Sequence, residues 1–201
     1  QEGGLWRQYQ GGWTHYDAKS GLPADRVNAL VEWGPGPDGP ALWVGTVGGV
    51  ARFQAGKWIS ASQGLPSPWT WKLRSLGGQS EKLWAATQKG LARWEGTRWV
   101  PFAGAVPAPE TNDFLEVEET PGRSFLWVSF WNLGIGRFDG QAWQVFGPAQ
   151  GFPSTYPTIL TALPGSQVVA AGSYDRGLAF YREGTWQVLN AEKGLPHDGV
   201  F

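Results

Sequence analysis

At 201 residues and 21.9 kDa the chain is long enough for one sizeable domain with a buried core. Its net charge of −1 and pI of about 6.2 leave no basic footprint, which argues against nucleic acid or any other polyanion as partner. Cysteine is absent, so disulfides, thiol nucleophiles and thiolate metal sites are excluded, and an oxidising compartment is compatible with the composition.

Glycine (30), proline (15) and tryptophan (14) are all abundant, and without a Gly-X-Y period the glycines read as turns of an all-β chain. Methionine is missing even at position 1, which reads as a mature or excised portion of a longer protein. The span carries no leader pattern and no run of 18 apolar residues, so no membrane insertion is expected within it.

In chain order, Gly4-Leu5-Trp6-Arg7-Gln8-Tyr9 aligns with the later Gly49-Val50-Ala51-Arg52-Phe53-Gln54, so the chain opens partway through a unit that it then repeats. The first whole unit starts at Gly21-Leu22-Pro23. An alternating run from Val27, a Gly/Pro cluster from Gly34 to Pro40, Leu42-Trp43-Val44-Gly45-Thr46, Gly49 to Phe53 and Gly56-Lys57-Trp58 follow. These are four short strand patterns separated by turn signals.

The turn prolines Pro23, Pro66, Pro107, Pro153 and Pro196 recur at 43, 41, 46 and 43 residues. The late tryptophans Trp13, Trp58, Trp99, Trp143 and Trp186 recur at 45, 41, 44 and 43. Trp43, Trp84 and Trp127 mark the middle of three units, with Val169 read into the fourth slot. A period of about 43 with four strands per period is the signature of a β-propeller blade.

Strand a is expected at 27–33, 71–76, 114–118 and 158–163. Strand b is expected at 42–45, 83–86, 126–129 and 168–171, and strand c at 50–53, 91–94, 135–138 and 178–181. Strand d begins at each late Trp. Turns between a and b hold Gly77-Gly78, Pro121-Gly122 and Pro164-Gly165; those between c and d hold Gly56, Gly96, Gly140 and Gly184. The expected organisation is a partial blade at 1–20, blades at 21–63, 64–104, 105–150 and 151–193, and the start of another at 194–201. Four complete blades would leave open edges, so the span is expected to belong to a larger propeller of six to eight blades, with the remaining blades or a second propeller as a partner.

The order Gly-Leu-Pro, Leu-Trp-Val-Gly-Thr, Gly-Leu-Ala-Arg-Phe/Trp and Gly-x-x-Trp resembles the two-component regulator propeller repeat. Gly64-Leu65-Pro66 and Lys89-Gly90-Leu91-Ala92-Arg93-Trp94 carry the match alongside the first unit. The third unit departs at Val106-Pro107 and Ser129-Phe130, and the fourth at Val169 and Phe180. The resemblance implies the sensor region of a bacterial membrane-bound histidine kinase or related signalling protein, in the periplasm or outside the cell.

The repeating Trp residues read as blade-to-blade core, and Arg7, Arg52, Arg93 and Arg137 as a structural feature of strand c. Function is then expected where the repeats disagree, on the d–a connections and b–c loops at one mouth of the propeller channel. The candidate ligand-binding residues are Arg26, Trp69, Trp71, Asn112, Trp131, Asn132, Tyr156, Tyr174 and Asp175. Aromatic platforms beside Asn, Asp and Arg suit a small polar ligand or an oligosaccharide, whose faces are apolar and whose hydroxyls need partners.

A protein-binding scaffold is the alternative reading. A carbohydrate-active enzyme is a third, with Asp113 and Asp175 as a conceivable carboxylate pair. Only His15 and His197 are histidines, so no metal site, cofactor or His-based triad is expected. Glu116, Glu118 and Glu119 read as a solvated strand face.

Overall fold

Short alternating runs bounded by glycine bury one apolar face and satisfy their backbone groups only by pairing in sheets. A computed structural model describes residues 3–34, 40–77, 82–164 and 166–201; the turn residues 35–39, Gly78 and Gly165 lie outside them. Among the described residues the chain forms eighteen strands and short 3-10 turns. No described helix is long and apolar enough to cross a membrane.

The chain divides into two compact units, residues 1–103 and 104–201. The first holds a two-stranded sheet, β1 (Leu5–Tyr9) with β2 (Gly12–Tyr16). Two four-stranded sheets follow: β3 (Val27–Trp33), β4 (Ala41–Thr46), β5 (Gly49–Gln54) and β6 (Lys57–Ser60), then β7 (Thr70–Leu76), β8 (Lys82–Thr87), β9 (Gly90–Trp94) and β10 (Trp99–Pro101). The second unit holds β11 (Thr111–Thr120), β12 (Arg123–Phe130), β13 (Gly134–Phe138) and β14 (Trp143–Phe146). Its other sheet is β15 (Pro157–Ala162), β16 (Val169–Ser173), β17 (Leu178–Arg182) and β18 (Thr185–Leu189). Each four-stranded sheet is an antiparallel meander in chain order, the architecture of a propeller blade.

In the first unit one core lies between the two blades, where Trp43 and Val50 meet Leu73, Leu83, Trp94 and Trp99. A second cluster packs Leu5 and Tyr16 of the strand pair on Val44, Ala51 and Trp58. In the second unit Leu115, Phe125, Trp127 and Phe146 pack with Phe152, Leu160, Val169 and Trp186. Trp43, Trp99 and Trp127 are at most 2% exposed, and burial of each contributes a few kcal/mol. Trp84, Trp143 and Trp186 are half-buried. Across strands b and c the guanidiniums of Arg52, Arg93 and Arg137 lie 5.9, 5.8 and 5.8 Å from the ring centres of Trp43, Trp84 and Trp127. The recurring Arg thus covers the recurring Trp.

The Gly-Leu-Pro marker now has a physical origin. Gly21, Gly64, Gly151 and Gly194 have φ of 106°, 86°, 91° and 105°, the left-handed region glycine enters at least cost. In three of the four units this glycine ends a 3-10 turn. The Gly-Thr marker is equally local: Thr46 Oγ1 and Thr87 Oγ1 donate to the Gly49 and Gly90 carbonyls at 2.9 and 2.7 Å, closing the b–c turn.

Pairing register corrects the fourth unit. Ser173 occupies the Thr46 position and Gly172 that of Gly45, so Ala170, opposite Phe180, takes the tryptophan slot; Val169 does not. The tryptophan and arginine are replaced together, by Ala170 and Phe180. The acidic run also differs from expectation. Glu116 and Glu118 are exposed, but Glu119 is half-buried, accepts from Trp127 Nε1 at 3.0 Å and Arg137 Nε at 2.8 Å, and pairs with the guanidinium. That pairing raises the Arg137 pKa above its ordinary value.

Candidate functional site

Strand a of every blade begins with a register shift that leaves one residue out of the ladder: Asn28, Trp71, Asn112 and Thr158. Just before it stand Arg26, Trp69, Glu110 and Tyr156. Their carbonyls accept from the amides of Val47, Gln88, Trp131 and Tyr174 on the b–c turn, at 3.2, 3.0, 3.0 and 2.9 Å. The same backbone bond therefore anchors the d–a connection to the b–c turn in all four blades, while the side chains just before the bulge differ from blade to blade. Rigid presentation of variable groups is what a binding surface on a repeated scaffold requires.

In the first unit Arg26, Trp69 and Trp71 converge. The Arg26 guanidinium lies 5.9 Å from the centre of each indole, and the indoles lie 5.3 Å apart at 38°. Trp69 Nε1 and Trp71 Nε1 are buried without an acceptor among the described residues.

In the second unit Trp131, Tyr156 and Tyr174 converge. Trp131 lies 5.0 Å from Tyr156 and 6.2 Å from Tyr174, and Tyr174 lies 5.8 Å from Phe201. Tyr174 is 57% exposed and Phe201 76%, an apolar platform open to solvent. Asp175 is fixed beside it: Ser154 Oγ donates to Asp175 Oδ1 at 2.5 Å and accepts from the Tyr156 amide at 2.9 Å. Asn132 is exposed at φ 66°, a left-handed turn that asparagine tolerates.

Asn112 stands apart from that group. Its side-chain amide donates to the Pro157 carbonyl at 2.9 Å, and Asn28 does the same to Thr70 at 2.9 Å, so this position ties one blade to the next. The carboxylate pair considered for catalysis does not face solvent as a pair. Asp113 is 1% exposed and its two oxygens accept from the Phe114 and Leu160 amides at 2.8 and 3.0 Å, joining β11 to β15.

Comparison of the repeats places Gln88-Lys89 on the b–c loops but leaves out Glu110 and Phe201, which occupy recurrent positions of the d–a connection. The backbone pairing between the d–a connection and the b–c turn identifies them, and no residue pattern announces it. A cavity of about 290 Å³ lined by Glu119, Arg123, Arg137 and Tyr181 lies at the a–b ends of the strands. Glu119 and Arg137 in it are paired with each other, and Arg123 with Asp139 outside it. Among the described residues no group of three His, Asp or Glu side chains is placed to hold a metal ion.

Fold and surface together define a protein of propeller blades with a variable loop surface. No family model and no curated protein matches the sequence. Among solved structures, the chain is similar to the extracellular domain of a B. thetaiotaomicron protein described as a hybrid two component system, BT3049. The TM-score is 0.71 at 17% identity, over 88% of this chain and 26% of that one. It is also similar to the extracellular domain of BT4673 from the same organism, described as a one component system, at TM-score 0.70 and 14% identity, over 94% of this chain and 28% of that one. The chain thus spans about a quarter of each of these structures. The likeness is one of fold, and it agrees with the all-β blade architecture read from the repeats.

Proposed function

We propose that the chain is the ligand-binding portion of a bacterial signal-transduction receptor, non-catalytic in this span and placed in the periplasm or outside the cell. It recognises a small polar ligand or an oligosaccharide on the surface formed by its d–a connections and b–c turns. The observation that carries this reading is that large aromatics alternate with charged and polar residues at positions anchored by the same backbone bond in every blade. A packing role would favour the same residue in every blade, as at the buried tryptophans.

Sugar rings stack on indole and phenol faces, and Asp175 beside Tyr174 supplies an acceptor for hydroxyls. The extracellular sensor-type neighbours support the receptor assignment by fold. Trp6, Tyr9 and Trp13 are 52, 61 and 63% exposed on the two-stranded sheet, which supports contact with further blades of a larger ring.

Titration of the chain with a panel of neutral oligosaccharides, followed by tryptophan fluorescence, tests the reading. Saturable binding without product formation supports it. Failure of every glycan together with capture of a protein ligand on the same surface would establish the scaffold alternative, and glycan cleavage the enzymatic one.

A further inference from the structure

The two aromatic groups differ in charge, and the difference names a chemical class. In the second unit the residue following the b–c turn position is Asp175, held by Ser154. In the first unit the corresponding turn residue is the exposed Lys89, next in sequence to Gln88, whose amide bonds to the Trp69 carbonyl. Arg26 is also exposed, and among the described residues it makes no ion pair or side-chain hydrogen bond; its contacts are the two indole faces.

A guanidinium laid against aromatic faces is oriented while the N–H donors at its edge stay free. The indoles exclude water on one side, which strengthens any charge–charge interaction there. An oriented, unpaired fork of donors matches a carboxylate.

We propose that Arg26, Trp69 and Trp71 form a subsite for an acidic sugar residue: the indoles take the sugar ring and Arg26 takes its carboxylate. A net charge of −1 disfavours a long polyanion, so the fitting ligand is a short saccharide carrying a carboxylate. An acidic peptide would supply the charge without a ring face for the paired indoles. This inference rests on the reading of the loop surface as a ligand site and narrows its ligand.

A matched pair of probes tests it: a β-1,4-linked glucose trimer and the same trimer oxidised at C6 to glucuronate, titrated calorimetrically into the chain. The glucuronate trimer is expected to bind about tenfold more tightly, corresponding to one charge-assisted contact. Arg26→Gln should abolish that preference, and Arg26→Lys should restore part of it. Arg182→Gln, an exposed cation of the second unit outside both aromatic groups, should leave the preference unchanged. Equal binding of both trimers, or a preference that survives Arg26→Gln, overturns the acidic subsite and leaves the loop-surface reading standing. Binding of neither trimer overturns the acidic subsite, while the loop-surface reading falls only if every glycan of the neutral panel fails as well; tighter binding of a glutamate-rich peptide than of the glucuronate trimer overturns the sugar assignment.

Discussion

The side chain of Asn112 donates to the carbonyl of Pro157 at 2.9 Å, reaching from the first strand of one blade to the first strand of the next. Asn28 makes the equivalent bond to Thr70, and Thr158 donates from the same position to the Val200 carbonyl. A residue extruded from its own ladder by a bulge is thereby used as a clamp. Asn112→Ala removes the donor and leaves a partly buried carbonyl without it. The variant should lose about 1 kcal/mol of unfolding free energy in a urea titration, with glycan affinity unchanged.

The late tryptophans occupy one structural position with different polar roles. Trp99 Nε1 donates to the Ala61 carbonyl at 2.6 Å, whereas Trp58 Nε1 is buried without an acceptor among the described residues. Trp99→Phe should therefore cost about 1–2 kcal/mol more than Trp58→Phe, measured by chemical denaturation of the two variants side by side. Equal losses would mean that ring volume alone governs the position.

Gly45 lies where the neighbouring blade approaches. A Cβ there would stand 2.9 Å from Thr70 Cγ2 and 3.3 Å from Ala29 Cβ. Gly45→Ala should destabilise the chain by about 1–3 kcal/mol through overpacking, read as a lowered melting temperature. Gly56→Ala meets nothing within 4 Å; its φ of 78° gives it a purely conformational cost.

Tyr181 packs on Trp127 and Phe146, with ring centres at 4.9 and 5.1 Å, and burial raises its pKa above 10.0. A raised acid binds its proton more firmly in the folded state. Its contribution is therefore fully present below the unfolded pKa of about 10 and is lost as pH rises through the folded value. Stability measured between pH 9 and 11 should fall, and Tyr181→Phe should flatten part of that fall.

The sequence carried the blades clearly because their markers are local. A left-handed glycine, a Thr-closed turn and an Arg laid on a Trp each need only neighbours in one hairpin. Register in the fourth unit was less legible. Ala170 and Phe180 replace the Trp and Arg markers together, leaving Gly172-Ser173 as the informative pair.

The candidate surface was legible as the set of positions where the repeats disagree. Its division was not. Asn112 repeats the blade-to-blade bond of Asn28 and Asp113 adds a second bond to the next blade, whereas Trp131, Tyr156 and Tyr174 meet only through folding. Phe201 joins them through a contact with Tyr174 that spans more than a strand pair of sequence. Glu119 looked like part of a solvated run because its partner Arg137 lies two strands away in the sheet.

The most direct test of the ligand surface is calorimetric titration of the parent chain and of Trp131→Ala and Tyr174→Ala with the glycan that binds best in the neutral panel. Each variant should lose about tenfold or more in affinity while keeping its unfolding midpoint, since one stacking contact is worth on the order of 1 kcal/mol or more. Unchanged affinity in both variants would contradict the account.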